Sequence, residues 1–457
     1  MTSIISRRKF IKLATMAGLL AGCRPLEKLV TPTATHSPPT ATPVLPTSTP
    51  TAAPTATLTS APTATPLPRR PEFIVNGTII DGTGATPIPH GVVALKGTRI
   101  AAVGPASAFS IRPDAVVVDA GGGTILPGIL DVHVHNTAHA YERKVFLEQG
   151  VTTVADMGSK NGLIPLFKEE NHYTGPAARG LCAGQTISVP GGYGGLHIYS
   201  PTQARELIDN LAARGVNHIK LGLDPGPVPD RPNPMPSLEE IRAVVEQAHK
   251  HNLMVHAHLL NENALDLALD GGIDVVQHIP SPARNAATEA SVVEKKDYFI
   301  RRAAAQHARI VKRGIPIVPT LEVFLDGWFE KPDRTPYEQA RIDLLVGLVR
   351  QFHQMGGVIA LGNDSPIPLV QPGMPILEMK MLLAAGLTPM QVLEAGTRHS
   401  AAVCGQSQTR GTLEPGKLAD VIIVDGDPLT DIQAMRRLKA VIKDGQIAYT
   451  FNAKRTE

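Results

Sequence analysis

Charge of one sign is what this chain most clearly lacks. Its 457 residues carry 44 Lys and Arg against 41 Asp and Glu, and 44 − 41 leaves a formal charge of +3. That near-balance gives no support for a nucleic-acid partner, which usually meets a basic surplus. Cysteine is scarce as well. Only Cys23, Cys182 and Cys404 occur, too few for the disulfide framework of a small exported protein. Cys182 and Cys404 read as small buried apolar residues, with a single bridge between them as the other option. The apolar run Leu13–Gly22 falls short of the roughly 20 residues a membrane-spanning helix needs. No glycine fingerprint of the nucleotide-binding kind opens a strand-to-helix turn.

Proline is plentiful but unevenly spread. Between Thr31 and Arg70 there are 10 Pro and 13 Thr, and no Asp, Glu, Lys or Arg falls between Lys28 and Arg69. Such a tract buries too little apolar surface to offset the entropy of ordering it. It reads as an extended tether over residues 23–70, rising about 3.1 Å per residue and so reaching on the order of 120 Å from its Thr/Pro-rich part. Setting 70 residues aside leaves 457 − 70 = 387 for folded structure.

The folded part opens and closes on short strands separated by Gly, Pro and Asp, at residues 73–119 and again at 418–449. Between them apolar strands alternate with amphipathic helices. Ser237 with Glu240 makes a capping box ahead of Leu238, Ile241, Val244, Val245 and Ala248. Pro201 after Ser200 starts another helix that Gly215 ends, and Thr388-Pro389 with Gln391 repeats the start signal. Eight strands are expected: Ile125–His135, Val151–Asp156, Arg179–Ile187, His218–Leu223, Met254–Leu259, Val275–Ile279, Ile315–Thr320 and Val358–Asp364. The spacing predicts an α/β fold, a (β/α)8 TIM barrel over 125–404. A small β-sandwich built from both chain ends, 71–124 and 405–457, completes it. An open doubly wound sheet is the alternative.

Barrels of this type do their chemistry at the C-terminal ends of the strands. Those ends carry His133 and His135, Lys220, His256 and His258, His278, and Asp364. Side chains at i and i+2 of a strand point the same way, so His133 and His135 can grip one metal ion. Ile219 and Leu221 turn Lys220 to the opposite face, toward the barrel interior. The glycines around Tyr193 are not a phosphate cradle, because no Gly-Lys-Ser/Thr follows them. His139, His172, His249, His251, His307, His353 and His399 fall on helices or loops, where most are expected to be solvated or locally bonded.

These residues resemble the amidohydrolase superfamily of metal-dependent hydrolases. Leu126-Pro127-Gly128-Ile129-Leu130-Asp131-Val132-His133-Val134-His135 is similar to its first-strand motif, Asn76–Gly82 to its opening, and Gly411–Asp420 to its closing segment. His-Ile-Lys-Leu at 218–221 draws the comparison toward members that cleave Xaa-Pro dipeptides, with imidazolonepropionase-like enzymes nearby. The resemblance implies two divalent metal ions: His133, His135 and Asp364 would hold one, and His256 and His278 the other. Zn2+ suits the donors, with Mn2+, Fe2+ or Co2+ not excluded. Lys220, carboxylated by CO2 to a carbamate, would bridge both. A hydroxide between the ions would attack the amide of a small-molecule substrate, with Asp364 moving the proton. Of His256 and His258, His256 is favoured as ligand because it directly follows the apolar strand residues, leaving His258 to face substrate. Many relatives carry Gly-Gly-His-Gly after the third strand, whereas this chain has Gly191-Gly192-Tyr193-Gly194-Gly195, so their substrate preference does not carry over. Tyr193 and His197 are the substrate-facing candidates there.

The activity implied is hydrolysis of amide C–N bonds in dipeptides or N-acyl amino acids. A cyclic-amide or imidazolone hydrolase, a single-metal deaminase and a non-catalytic ligand-binding lipoprotein are the alternatives. Ser6-Arg7-Arg8-Lys9-Phe10-Ile11-Lys12 resembles a twin-arginine export signal, and Leu20-Ala21-Gly22-Cys23 resembles a lipoprotein cleavage box. This implies removal of residues 1–22, lipidation of Cys23 and a membrane-anchored protein in the cell envelope. Self-association stays open.

Overall fold

Gly128 is where the chain passes from one kind of sheet to another. The computed structural model describes residues 70–171, 175–226, 231–282, 288–325, 327–367 and 370–451, all within a unit spanning Leu67–Glu457. The expected signal segment, Cys23, most of the tether and His172 lie outside the described residues. The strand expected at Ile125–His135 is two strands, Thr124–Pro127 and Ile129–Val134. Pro127 has no N–H to continue a ladder, and the N–H of Gly128 donates to the Asp420 carbonyl at 2.9 Å. A Cβ at Gly128 would stand 2.3 Å from the Thr152 side chain. Only glycine fits this crossing.

The first of those strands belongs to an eight-stranded sheet drawn from both parts of the folded chain. Its order is Gln446–Thr450, Leu438–Lys443, Val421–Val424, Thr124–Pro127, Phe73–Ile79, Ile88–Lys96 and Arg99–Pro105, with Val117–Asp119 also paired to Phe73–Ile79. Phe73–Ile79 runs parallel to Val117–Asp119 and to Thr124–Pro127. Ile422 faces Leu126 in the antiparallel register that joins the late strands to the early ones. One face packs an aliphatic core of Ile74, Ile79, Val93, Ile125, Val421, Ile423 and Ile442.

The other strands run parallel. Ile129–Val134, Val151–Asp156 and Arg179–Cys182 form one sheet. Ile219–Gly222, Val255–His258, Val275–Gln277 and Ile317–Val318 form a second, with the short pieces Ile187–Ser188 and Leu196–His197 on its edge. The strand expected at Arg179–Ile187 is thus two pieces, parted where Gly184 adopts φ 71°. The expected Val358–Asp364 strand is reduced to isolated parallel bridges, Ile317 with Ile359 and Val134 with Ser365. Its backbone still bonds to both sheets, through Ala360 N–H to Ile317 and Val132 N–H to Leu361, each at 3.0 Å. The result is a mixed α/β fold whose helices cover the parallel strands.

The start signals act as read. Ser237 and Glu240 cap the helix Leu238–Lys250 reciprocally, and Ile241, Val244, Val245 and Ala248 are its buried stripe. Pro201 begins Pro201–Arg214, and Gly215 ends it at φ 91°. Arg179 ties the two kinds of sheet together, reaching Asp420 at 2.8 Å and Asp444 at 2.5 Å. Cys182 and Cys404 are buried and free, so the bridge between them is not made. Burial pushes both thiols up to about 12. No helix of the described residues is long and apolar enough to cross a membrane.

Candidate metal centre

Four of the eight non-glycine residues with positive φ among the described residues, Asn136, His278, Thr320 and Asp364, lie just past the ends of parallel strands. Backbone held in that region costs of order 1–3 kcal/mol and collects at functional sites. All but Thr320 line one cavity of about 310 Å3, together with His133, His135, Lys220, His258 and Tyr193. That volume is at the lower end of those that take small molecules.

Imidazoles dominate the wall. His133 Nε2 lies 3.5 Å and His135 Nε2 3.0 Å from Asp364 Oδ1. Lys220 Nζ is 3.4 Å from His133 Nε2. His278 Nε2 meets His258 Nδ1 at 2.9 Å, and His258 Nε2 stands 3.7 Å from Asp224. Two side-chain partners hold rings from behind: Gln277 Oε1 takes His133 Nδ1 at 2.6 Å, and Thr320 Oγ1 meets His278 Nδ1 at 2.7 Å. Gly362 lets this packing close, because a Cβ there would stand 2.7 Å from the Cβ of His133.

Burial sets the electrostatics. It holds the His133 imidazole well below its ordinary range, with the nearby Lys220 charge adding to the effect. His258 is lowered to about 4 by burial, against the pull of Asp224. Lys220 is lowered to about 7 by the same cause, with Asp364 opposing. His133 and His258 therefore favour the neutral imidazole, the form that ligates metals.

The donors fit a divalent cation. One ligand atom each from His133, His278 and Asp364 lies within 4.8 Å of the others. The 2.9 Å between His258 Nδ1 and His278 Nε2 is shorter than the roughly 3.4 Å edge of a tetrahedron with metal–nitrogen bonds of about 2.1 Å, and near enough for both rings to reach one ion. Hydrogen bonds made by the outer nitrogens of His133 and His278 leave the inner ones aimed at the centre, the usual way a protein orients ligating histidines.

The sequence candidates divide. The structure brings His133, His135, Lys220, His258, His278 and Asp364 to one cavity. His256 does not reach the wall. It is fully buried deeper in the strand, bonded through Nδ1 to Gln277 at 2.7 Å and packed on the His218 ring at 4.8 Å. Of the two, His258, nearer the strand's C-terminal end, is the one that lines the cavity. Tyr193 stacks on His258 with centroids 3.9 Å apart. Its backbone passes so close over Gly222 that any Cβ there would collide with the Tyr193 carbonyl. His197 is exposed and off the cavity wall. Its two-residue strand pairs with Ile187–Ser188. Gln277, Thr320 and Asp224 were not found from the sequence. Gln277 sits beside His278 with opposite strand parity, and only the positive φ of His278 brings both to the interior. Among the other histidines, His249 and His251 are bonded to Asp274 and Asp209, and His307 is buried beside Gln351.

The family model of the amidohydrolases matches residues 124–448, and the chain belongs to that family. It is a hydrolase of C–N bonds. It is similar to the imidazolonepropionase of Symbiobacterium thermophilum, 26% identical over 401 residues, 74% of this chain and 85% of that protein. It is also 26% identical over 375 residues to the enamidase of Eubacterium barkeri, across 76% of this chain and 85% of the relative. Among solved structures, a Xaa-Pro dipeptidase with methionine bound in its active site superposes with a TM-score of 0.66 at 22% identity, covering 83% of this chain and 99% of the other. That likeness speaks for the fold.

Proposed function

We propose that the protein is an exported, lipid-anchored amidase with two divalent ions that hydrolyses the amide bond of Xaa-Pro-like dipeptides or N-acyl amino acids. The observation that carries it is the convergence of four imidazoles, one buried lysine and one aspartate on a single cavity. His133, His135 and Asp364 would hold one ion, and His258, rather than His256, with His278 the other. A carbamate on Lys220 would join them, since the uncharged amine is the form that adds to CO2 and burial lowers this lysine to about 7. Ions held there supply a polarised carbonyl and a water of lowered pKa. Asp364, 3.0 Å from His135, accepts the proton of the attacking water and returns it to the leaving amine. Tyr193, packed on His258, borders the cavity where a substrate carbonyl would lie and is placed to donate to the developing oxyanion. The reading includes a closed (β/α)8 barrel, with the sheet of both chain ends forming the sandwich beside it. Residues 1–22 and Cys23 support export and anchoring through their motifs alone.

Similarity to imidazolonepropionase over 74% of the chain favours a cyclic-amide hydrolase as the second reading. Metal analysis of the full chain, prepared with bicarbonate and divalent metal, followed by hydrolysis of Xaa-Pro dipeptides, N-acyl amino acids and cyclic amides, separates the readings. About two ions per chain with turnover of linear amides is the expected result. Turnover of cyclic amides alone selects the second reading, and a single ion per chain turns the assignment toward a mononuclear hydrolase or deaminase. A chain that holds no metal and turns over nothing leaves the ligand-binding lipoprotein.

A further inference from the structure

Behind the cavity wall, three buried side chains form one directed line. His133 Nδ1 is 2.6 Å from Gln277 Oε1, and Gln277 Nε2 is 2.7 Å from His256 Nδ1. His133 is 1% exposed, and Gln277 and His256 are fully buried, so no solvent can substitute for either bond. A carboxamide has one accepting end and one donating end. With the oxygen toward His133, that ring must carry its proton on Nδ1, leaving the lone pair of Nε2 facing Lys220 and Asp364. With the amide reversed, the proton would sit on Nε2, and that nitrogen could not ligate. The donating end then fixes the second ring: His256 accepts at Nδ1 and carries its proton on Nε2.

We infer that Gln277 is a positioning residue that sets the tautomer and ring angle of His133 for metal binding, and that His256 is the anchor that fixes the direction of the Gln277 amide. The inference rests on the metal-dependent reading of the site. It also gives His256 a role that does not require it to touch the ion.

The test uses the full chain loaded with Zn2+ and titrated with a competing chelator, reading bound metal by mass spectrometry and fold by circular dichroism. Gln277→Met removes both bonds at similar volume and is expected to release Zn2+ at roughly 10–100-fold lower chelator concentration, the usual effect of losing a partner behind a ligand. Gln277→Asn, which keeps the amide but is one methylene too short to span both rings, is expected to weaken retention as well and covers the case in which the Met variant does not fold. Gln277→Glu keeps an acceptor on His133 and is expected to restore retention close to wild type. A filler of space alone would lower the melting temperature in all three variants without moving Zn2+ retention. Wild-type retention by a folded Met or Asn variant overturns the inference, as does equal loss by Glu. A wild-type chain that holds no Zn2+ overturns the metal-dependent reading itself, whereas unchanged variants of a Zn2+-holding wild type overturn only the role of Gln277.

Discussion

The eight-stranded sheet and the inner wall of the parallel strands are built from similar strands and filled in opposite ways. The sheet core is aliphatic throughout, with Ile74, Ile125, Val421, Ile423 and Ile442 each 0–1% exposed. The wall carries His133, Lys220, His258 and His278, each no more than 5% exposed. Burial of hydrocarbon contributes about 25 cal/mol per Å2, whereas burying a polar group without a full set of partners costs free energy. One region holds the fold together, and the other gives up stability to hold groups in forms water would not allow. Arg179, bonded across to Asp420 and Asp444, links the two directly.

The sharpest way to break that comparison is Asp364→Asn. It removes the proton acceptor beside His135 while keeping its shape, and activity is expected to fall on the order of 10³-fold. In metal-free protein the melting temperature should stay close to wild type, because the amide keeps the shape and one oxygen beside His135. A variant that retains most turnover would take Asp364 out of the chemistry.

The reverse experiment belongs to the sheet. Ile125→Ala leaves a cavity in a core that has no means of filling it, and is expected to cost about 2–5 kcal/mol in denaturant unfolding. Turnover per folded molecule should be unchanged, since Ile125 lies outside the cavity lining. A lowered turnover with an intact fold would show that the sheet tunes the site.

Acid should separate the regions further. His307, buried against Phe352, is lowered to about 4 by burial, while the unfolded chain titrates near the usual 6.5. Between those values the unfolded state binds a proton that the folded state refuses, so stability falls as pH falls through this window and is flat above it. One such ring contributes a loss of up to about 2 kcal/mol between pH 6.5 and 5. His307→Phe keeps the aromatic packing and should flatten that slope, read from unfolding curves at the two pH values. Equal slopes in both proteins would remove His307 from the acid response.

What could be read from the sequence follows the same division. Alternation gave His133 and His135 a common face, and cap residues marked three helices, because both signals are local. The depth of a side chain along a tilted strand is not local. His256 and His258 share a face, and only the register against Gln277 and Lys220 places one behind the wall and the other on it. His197 lies close in sequence to the glycine loop, yet it is exposed and off the cavity lining. Gly128 hides a change of sheet inside what reads as a single strand.

The smallest effect calibrates the others. Ser237 caps the helix Leu238–Lys250, accepting from the Glu240 N–H at 3.3 Å while Glu240 returns a bond to the Ser237 N–H at 2.8 Å. This helix contributes no residue to the aliphatic sheet core or to the cavity lining. Ser237→Ala should therefore cost about 1 kcal/mol of stability, with turnover and metal content unchanged. A larger loss would mean that the covering helix holds the strand Val255–His258 in register, making the wall depend on its outer layer as well as on Arg179. A loss near 1 kcal/mol keeps cap energetics separate from site geometry, so that the Asp364 and Gln277 effects can be read as local to the cavity.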